Sequence, residues 1–228
     1  MLVAVAVVPQ TPLLVPEIAA GAAGELEPLR AAAIEAVREA AGVADRVMVV
    51  APGPGKEAYD SVVADFSAFG YECLDTGASD VRPGSALPLG EWLLSAAGVT
   101  LPRTFRETTG TAIDLGGHVR TALLVLADGT AKREESAPGH VDVRSLAFDA
   151  VIGTALAGVD LDALASLDPA LADALWASGA PAFRALAATV RADAAEGWAA
   201  RLRYDGAPYG VAYWVAVWSR KDVWSRPA

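Results

Sequence analysis

The segment Leu2-Val3-Ala4-Val5-Ala6-Val7-Val8-Pro9-Gln10-Thr11-Pro12-Leu13-Leu14-Val15-Pro16 decides how this chain folds. Its first seven residues are apolar and rich in valine, which reads as a buried strand. Pro9 ends that strand, because proline has no N–H to give a neighbour. In α/β proteins the loop leaving the carboxyl end of a strand is where ligands are held. Gln10 and Thr11 are therefore the first candidate site residues.

Outward from this stretch, Glu25 to Ala41 reads as a helix. Leu26, Leu29, Ala33, Val37 and Ala40 recur at three- and four-residue steps, and Gly42 is a natural stop. Arg46 to Ala51 is a second buried strand. Strand, helix and strand in so short a span make a βαβ unit, from which parallel pairing and a right-handed crossover are expected. Tyr59 to Phe69 is open between a short helix and an irregular segment. Tyr71 to Leu74 is expected to be a short strand, and Asp75 to Pro88 a long loop over a site. A helix should follow from Pro88 to about Ala97, with Trp92 and Leu93 inward.

Leu101 to Gly117 has no clear period. His118 to Ala127 reads as a strand, and Asp128-Gly129 as a turn that returns the chain antiparallel through Ala131 to Ser136. Asp142 can cap a helix from Val143 to Ala157 with Leu146, Ala150 and Ala157 inward. Further helices are expected near Asp168 to Ser178 and Pro181 to Ala195. Trp198 to Tyr204 and Val211 to Trp218 carry strand chemistry around a tight loop. No repeat or long linker divides the chain. The expectation is one α/β domain, residues 1–228, with a mixed, mostly parallel central sheet flanked by helices.

Composition narrows the function classes. The 228 residues are 54% hydrophobic and 20% charged, an ordinary globular balance. A domain of this size buries roughly 70% of its unfolded surface, so it needs neither disulfide nor metal for stability. The net charge of −10 repels phosphate backbones, so nucleic acid is not expected as a partner. Cys73 is the one cysteine, which excludes an internal disulfide and any multi-cysteine cluster. Leu2 to Val8 is too short for a membrane span and lacks a basic flank, so no membrane is expected and a cytoplasmic location is.

The two histidines offer little chemistry. His118 opens a strand and should lie at the edge opposite Gln10. His140 enters a helix, where a histidine is commonly a surface or capping group, although with Asp142 it is the better candidate for chemistry. The Pro52 to Lys56 loop has glycines and a lysine after a strand, yet its spacing is not that of a phosphate cradle, and Pro52 and Pro54 lack the N–H groups. Lys56 remains a candidate for binding a small anion. Tyr209 is open between reaching a pocket with Gln10 and packing under its loop with Gly206 and Gly210. Trp198, Trp214 and Trp218 fit a core or a subunit interface, and Trp224 a tail that packs on a neighbour. Glu17, Glu25 and Glu27 could place a carboxylate near the first loop or simply serve a helix dipole.

Several separated segments, in order, resemble the class III extradiol ring-cleavage dioxygenase superfamily. Pro9-Gln10-Thr11-Pro12-Leu13-Leu14 is similar to its first loop, with glutamine where that family has a histidine. Val47 to Gly53 resembles its second strand and loop, Leu123 to Thr130 the strand leading to a Gly-Asp-x-Ser-like turn, and Tyr204 to Trp218 its closing segment. The resemblance implies that fold. In active members two loop histidines and a carboxylate hold iron(II), and a further histidine is the acid/base. Here those histidine positions fall on Gln10, on the Gly53 to Lys56 loop, and near Ala131. A glutamine amide is a poor replacement for imidazole on iron. The resemblance therefore implies a degenerate, iron-free scaffold, without cofactor, that binds a small ligand or serves as a structural partner, as a homodimer. The alternative is an enzyme of new chemistry in the same cleft. Site candidates are Gln10, His140, Asp128 and Tyr209 for catalysis, and Gln10, Thr11, Gly53, Lys56 and Thr130 for ligand binding.

Overall fold

A computed structural model describes residues 1–54, 58–71, 81, 84–194 and 196–221. Lys56, Cys73, Trp224 and most of the expected loop at 75–88 lie outside the described residues. The elements in chain order are β1 (Leu2–Val8), α1 (Pro16–Ala19), α2 (Glu27–Ala41), β2 (Arg46–Pro52), β3 (Ala58–Tyr59), α3 (Leu87–Ala96), β4 (Arg103–Thr108) and β5 (Thr121–Leu126). They continue with α4 (Arg144–Gly158), α5 (Leu161–Ala165), α6 (Pro169–Ala174), α7 (Ala180–Ala194), β6 (Trp198–Gly206) and β7 (Tyr213–Arg220).

The strands form one seven-stranded sheet in the order β3-β4-β2-β5-β1-β7-β6. Its centre, β4-β2-β5-β1, is parallel, while β3, β7 and β6 add antiparallel edges. The α/β class and the mixed, mostly parallel sheet are thus as the sequence leads one to expect. One pairing differs. β1 and β2 share a direction, but β5 lies between them, opposite Val5 and Val8 of β1 at Leu123 and Leu126. Every residue of β1 and β5 is buried. A strand without a polar face belongs where helices cover both sides, so β5 takes the middle.

Alternate residues along these strands serve two cores. Val5 and Val7 of β1 and Leu123 and Val125 of β5 face α4 to α7 together with Phe183 and Trp218. Ala4, Ala6 and Val8, with Leu124 and Leu126, face α2 and α3. The α2 stripe of Leu29, Ala33, Val37 and Ala40 is buried as its spacing predicts. Trp218 is fully buried and its indole N–H donates to the Leu156 carbonyl at 2.7 Å. Trp198, Trp214 and Trp218 are all core residues, the first of the two places expected for them.

Three further expectations are corrected. β4 occupies a stretch with no apolar period: it pairs in register with β2, and Arg103 at its start pairs with Glu91 of α3 at 3.0 Å. The chain after Asp128-Gly129 does not return as a strand. Gly129 N–H donates to Ala212 and Ala212 N–H to Thr130, while Thr130 is tied to Asp149, so the segment is used up locally. On α4 the inward side is Phe148, Asp149, Ile152 and Leu156, whereas Leu146, Ala150 and Ala157 are exposed. Asp149 pulls its own face inward through Thr130. Among the described residues, no helix is long and apolar enough to cross a membrane.

Candidate functional site

Two adjacent parallel strands end side by side at the sheet's carboxyl edge, and their connections part there. The chain leaving β1 goes to α2 on one face; the chain leaving β5 goes to α4 and the helices after it on the other. This divergence opens a crevice, the place where open α/β sheets take ligands. Gln10 follows β1 and Asp128 follows β5. They are joined directly, the Gln10 N–H donating to Asp128 Oδ1 at 2.8 Å.

A third segment closes the floor. The Gln10 carboxamide donates to Ser178 Oγ at 2.6 Å, and the Gly179 N–H donates to the Asp128 carbonyl at 3.1 Å. Gly179 is required for this approach: a Cβ there would sit 2.3 Å from the Asp128 carbonyl oxygen. The resulting cleft, about 650 Å3, has a polar floor of Gln10, Asp128 and Ser178. Its walls are mostly apolar, with Pro12, Pro52, Phe66, Phe69 and Leu89.

Asp128 is the electrostatic centre. Its residue is 8% exposed, and burial pushes the carboxyl up to about 7, the Gln10 N–H only partly offsetting that rise. Beneath the floor Tyr213 lies near the Thr11 side chain. Burial, and then the Asp128 charge, raise the Tyr213 hydroxyl well above its ordinary value, so it stays a neutral phenol. Thr11 also caps the short 3-10 turn Pro12–Leu14, accepting from Leu13 N–H. Buried Arg30 of α2 donates to the Leu14 carbonyl at 2.7 Å and so pins this loop.

Of the other candidates, none described joins the floor. Gly53 lies against the Glu107 side chain and donates to the Thr108 carbonyl, while its neighbour Pro52 reaches the cleft. Thr130 is fully buried away from the cleft. Its N–H and hydroxyl donate to Asp149 at 3.0 and 2.6 Å, and Arg133 completes that carboxylate at 2.8 Å. Tyr209 donates to Glu25 at 2.6 Å instead of reaching Gln10. That contact, with Glu27 paired to Arg30, also takes two of the carboxylates considered for the first loop.

The histidines stand apart. His140 is exposed outside the cleft, and Asp142 beside it is held by Arg144. His118 is exposed at the opposite sheet edge, next to where the N-terminal amine donates to Gly117 and Val119 carbonyls. Ser178 of the floor, and Tyr213 beneath it, are residues that sequence reading missed. The Ser-Gly-Ala-Pro run marks a helix start, but nothing local brings it beside Gln10.

The donor set does not fit an iron(II) site. Among the described residues no three His, Cys, Asp or Glu side chains gather as a metal ion requires. At the first ligand position of the resemblance, the Gln10 amide nitrogen is spent on Ser178. What remains is a polar floor with a proton-holding carboxyl inside an apolar-walled cleft. The sequence matches no protein-family model and no curated protein.

Proposed function

We propose that this chain is an extradiol dioxygenase-like protein whose iron site has been lost, and that it binds a small organic ligand in the cleft between β1 and β5. In this reading it is a cytoplasmic homodimer. One observation carries it. The side chain standing where the resemblance places a metal-ligating histidine is instead hydrogen-bonded into a floor of Gln10, Asp128 and Ser178, beneath a cleft of about 650 Å3. That volume is in the range of small-molecule sites, and the mixture of apolar walls with few polar groups is typical of them.

The test is metal analysis of the purified protein, followed by iron(II) titration and assay with catechol. The expected result is no stoichiometric iron and no ring cleavage. Tightly held iron(II) with turnover would overturn the reading.

A second reading has one observation in its favour. A carboxyl held near pH 7 in a cleft is suited to general acid/base catalysis. An enzyme of that kind would lose turnover on Asp128→Asn while still binding its ligand.

A further inference from the structure

Among the described residues the lining of the cleft carries charge of one sign. Asp128 lies on its floor and Asp65 on its rim, and no lysine, arginine or histidine is among the described lining residues. Asp65 accepts the Ser67 N–H at 2.8 Å, which lowers its carboxyl and keeps it ionised. The chain as a whole carries −10, so the surrounding field does not reverse that sign.

Asp128 is also only half committed. Its Oδ1 takes the Gln10 N–H, whereas Oδ2 accepts no hydrogen bond from any described residue. A carboxylate oxygen has room for two donors, and Oδ2 is not among the sealed, unpartnered polar atoms, so it is open to the donors a ligand in the cleft brings. The aromatic walls provide the other half of a cation's requirements. Phe66 is buried and Phe69 is 52% exposed, and both line the cleft. Aromatic faces attract cations.

We propose that the cleft selects an organic cation, a protonated amine on a compact apolar or aromatic body, with its ammonium on Asp128 Oδ2. This rests on the ligand-binding reading above and deepens it. The ammonium supplies the missing donors and the countercharge for a buried carboxylate, and the body packs between Pro12, Phe66 and Leu89. Organic anions are rejected, because they would face two carboxyls without a described cation. Binding is linked to Asp128 ionisation, since the ammonium needs the carboxylate and burial has raised that group to about 7.

The experiment uses four probes of one shape: benzylamine, benzamide, benzyl alcohol and benzoate. Each is titrated into the full chain while backbone amide resonances, Gln10 and Ser178 among them, are followed by NMR. Benzylamine, protonated throughout, is expected to shift the cleft resonances and to bind about tenfold tighter at pH 8 than at pH 6. Benzoate is expected to shift none of them. Asp128→Asn, which keeps an acceptor for the Gln10 N–H, is expected to lose the benzylamine response, and Leu146→Ser, on the exposed side of α4 outside the cleft, to keep it.

Benzoate, benzamide or benzyl alcohol filling the cleft while benzylamine does not would overturn the cation inference and leave ligand binding standing. So would benzylamine affinity that falls as pH rises, or that survives Asp128→Asn. No cleft response to any of the four would overturn both.

Discussion

Asp128→Asn gives the sharpest consequence of the site's electrostatics. In the fold the carboxyl is raised from 3.8 to about 7 by burial. Between those values the folded chain keeps a proton that the unfolded chain has released, so raising the pH favours unfolding. Each unit of difference is worth 1.36 kcal/mol, so Asp128 removes about 4 kcal/mol of stability in all as the pH rises, about 3 of it between pH 5 and pH 8. Against a total of about 5–15 kcal/mol that is a large share. Asparagine has the same shape, still accepts the Gln10 N–H and has no charge to desolvate. The variant is expected to gain about 3 kcal/mol on the wild type between pH 5 and pH 8. Urea unfolding at intervals from pH 5 to 8 measures this. Asp149, also raised by burial, is present in both proteins and cancels in the comparison. Parallel stability curves for the two proteins would refute the reasoning.

Gly179→Ala puts a Cβ against the backbone of Asp128, which cannot move aside as a flexible side chain would. A loss of about 2 kcal/mol or more is expected by urea unfolding, together with altered titration of Asp128 in carboxyl NMR. Asp149→Ala strips the partner from Thr130 and from the Arg133 guanidinium and is expected to cost about 3 kcal/mol. The two sides of α4 should separate cleanly: Ile152→Ala costs about 2–5 kcal/mol, while Leu146→Ser stays within about 0.5. Equal losses would mean that the helix is turned differently.

Periodicity located the elements whose neighbours are uniform. β1 is apolar throughout because both its faces are covered, and α2 has one clean stripe because one face meets the sheet. Where a few specific contacts decide, the pattern fails. The sequence of α4 is apolar on two sides, and only the Thr130–Asp149 contact selects which is buried. The six polar and aromatic residues of β4 look structureless until Glu91 is seen across from Arg103. Asp128-Gly129 has the composition of a hairpin turn, but the backbone groups that a returning strand would need are bound to Ala212 and Asp149.

The candidate site divided in the same way. The carboxyl-edge rule found Gln10 and Thr11, and the resemblance placed Asp128 near them. Their joining bond spans 118 positions and the Gln10–Ser178 bond 168, distances over which composition holds no signal. Tyr213 was hidden for another reason: in a buried strand an aromatic residue is indistinguishable from core until its place beside Thr11 and Asp128 is seen.

The central claim is that a metal-free cleft on Gln10, Asp128 and Ser178 is where this chain meets its ligand. Crystals grown with chelator and soaked with a small-fragment library test it most directly. Fragments gathered over those three residues, at full strength without added metal, are the predicted outcome. Fragments that settle elsewhere, or enter the cleft only once iron(II) is supplied, would contradict it.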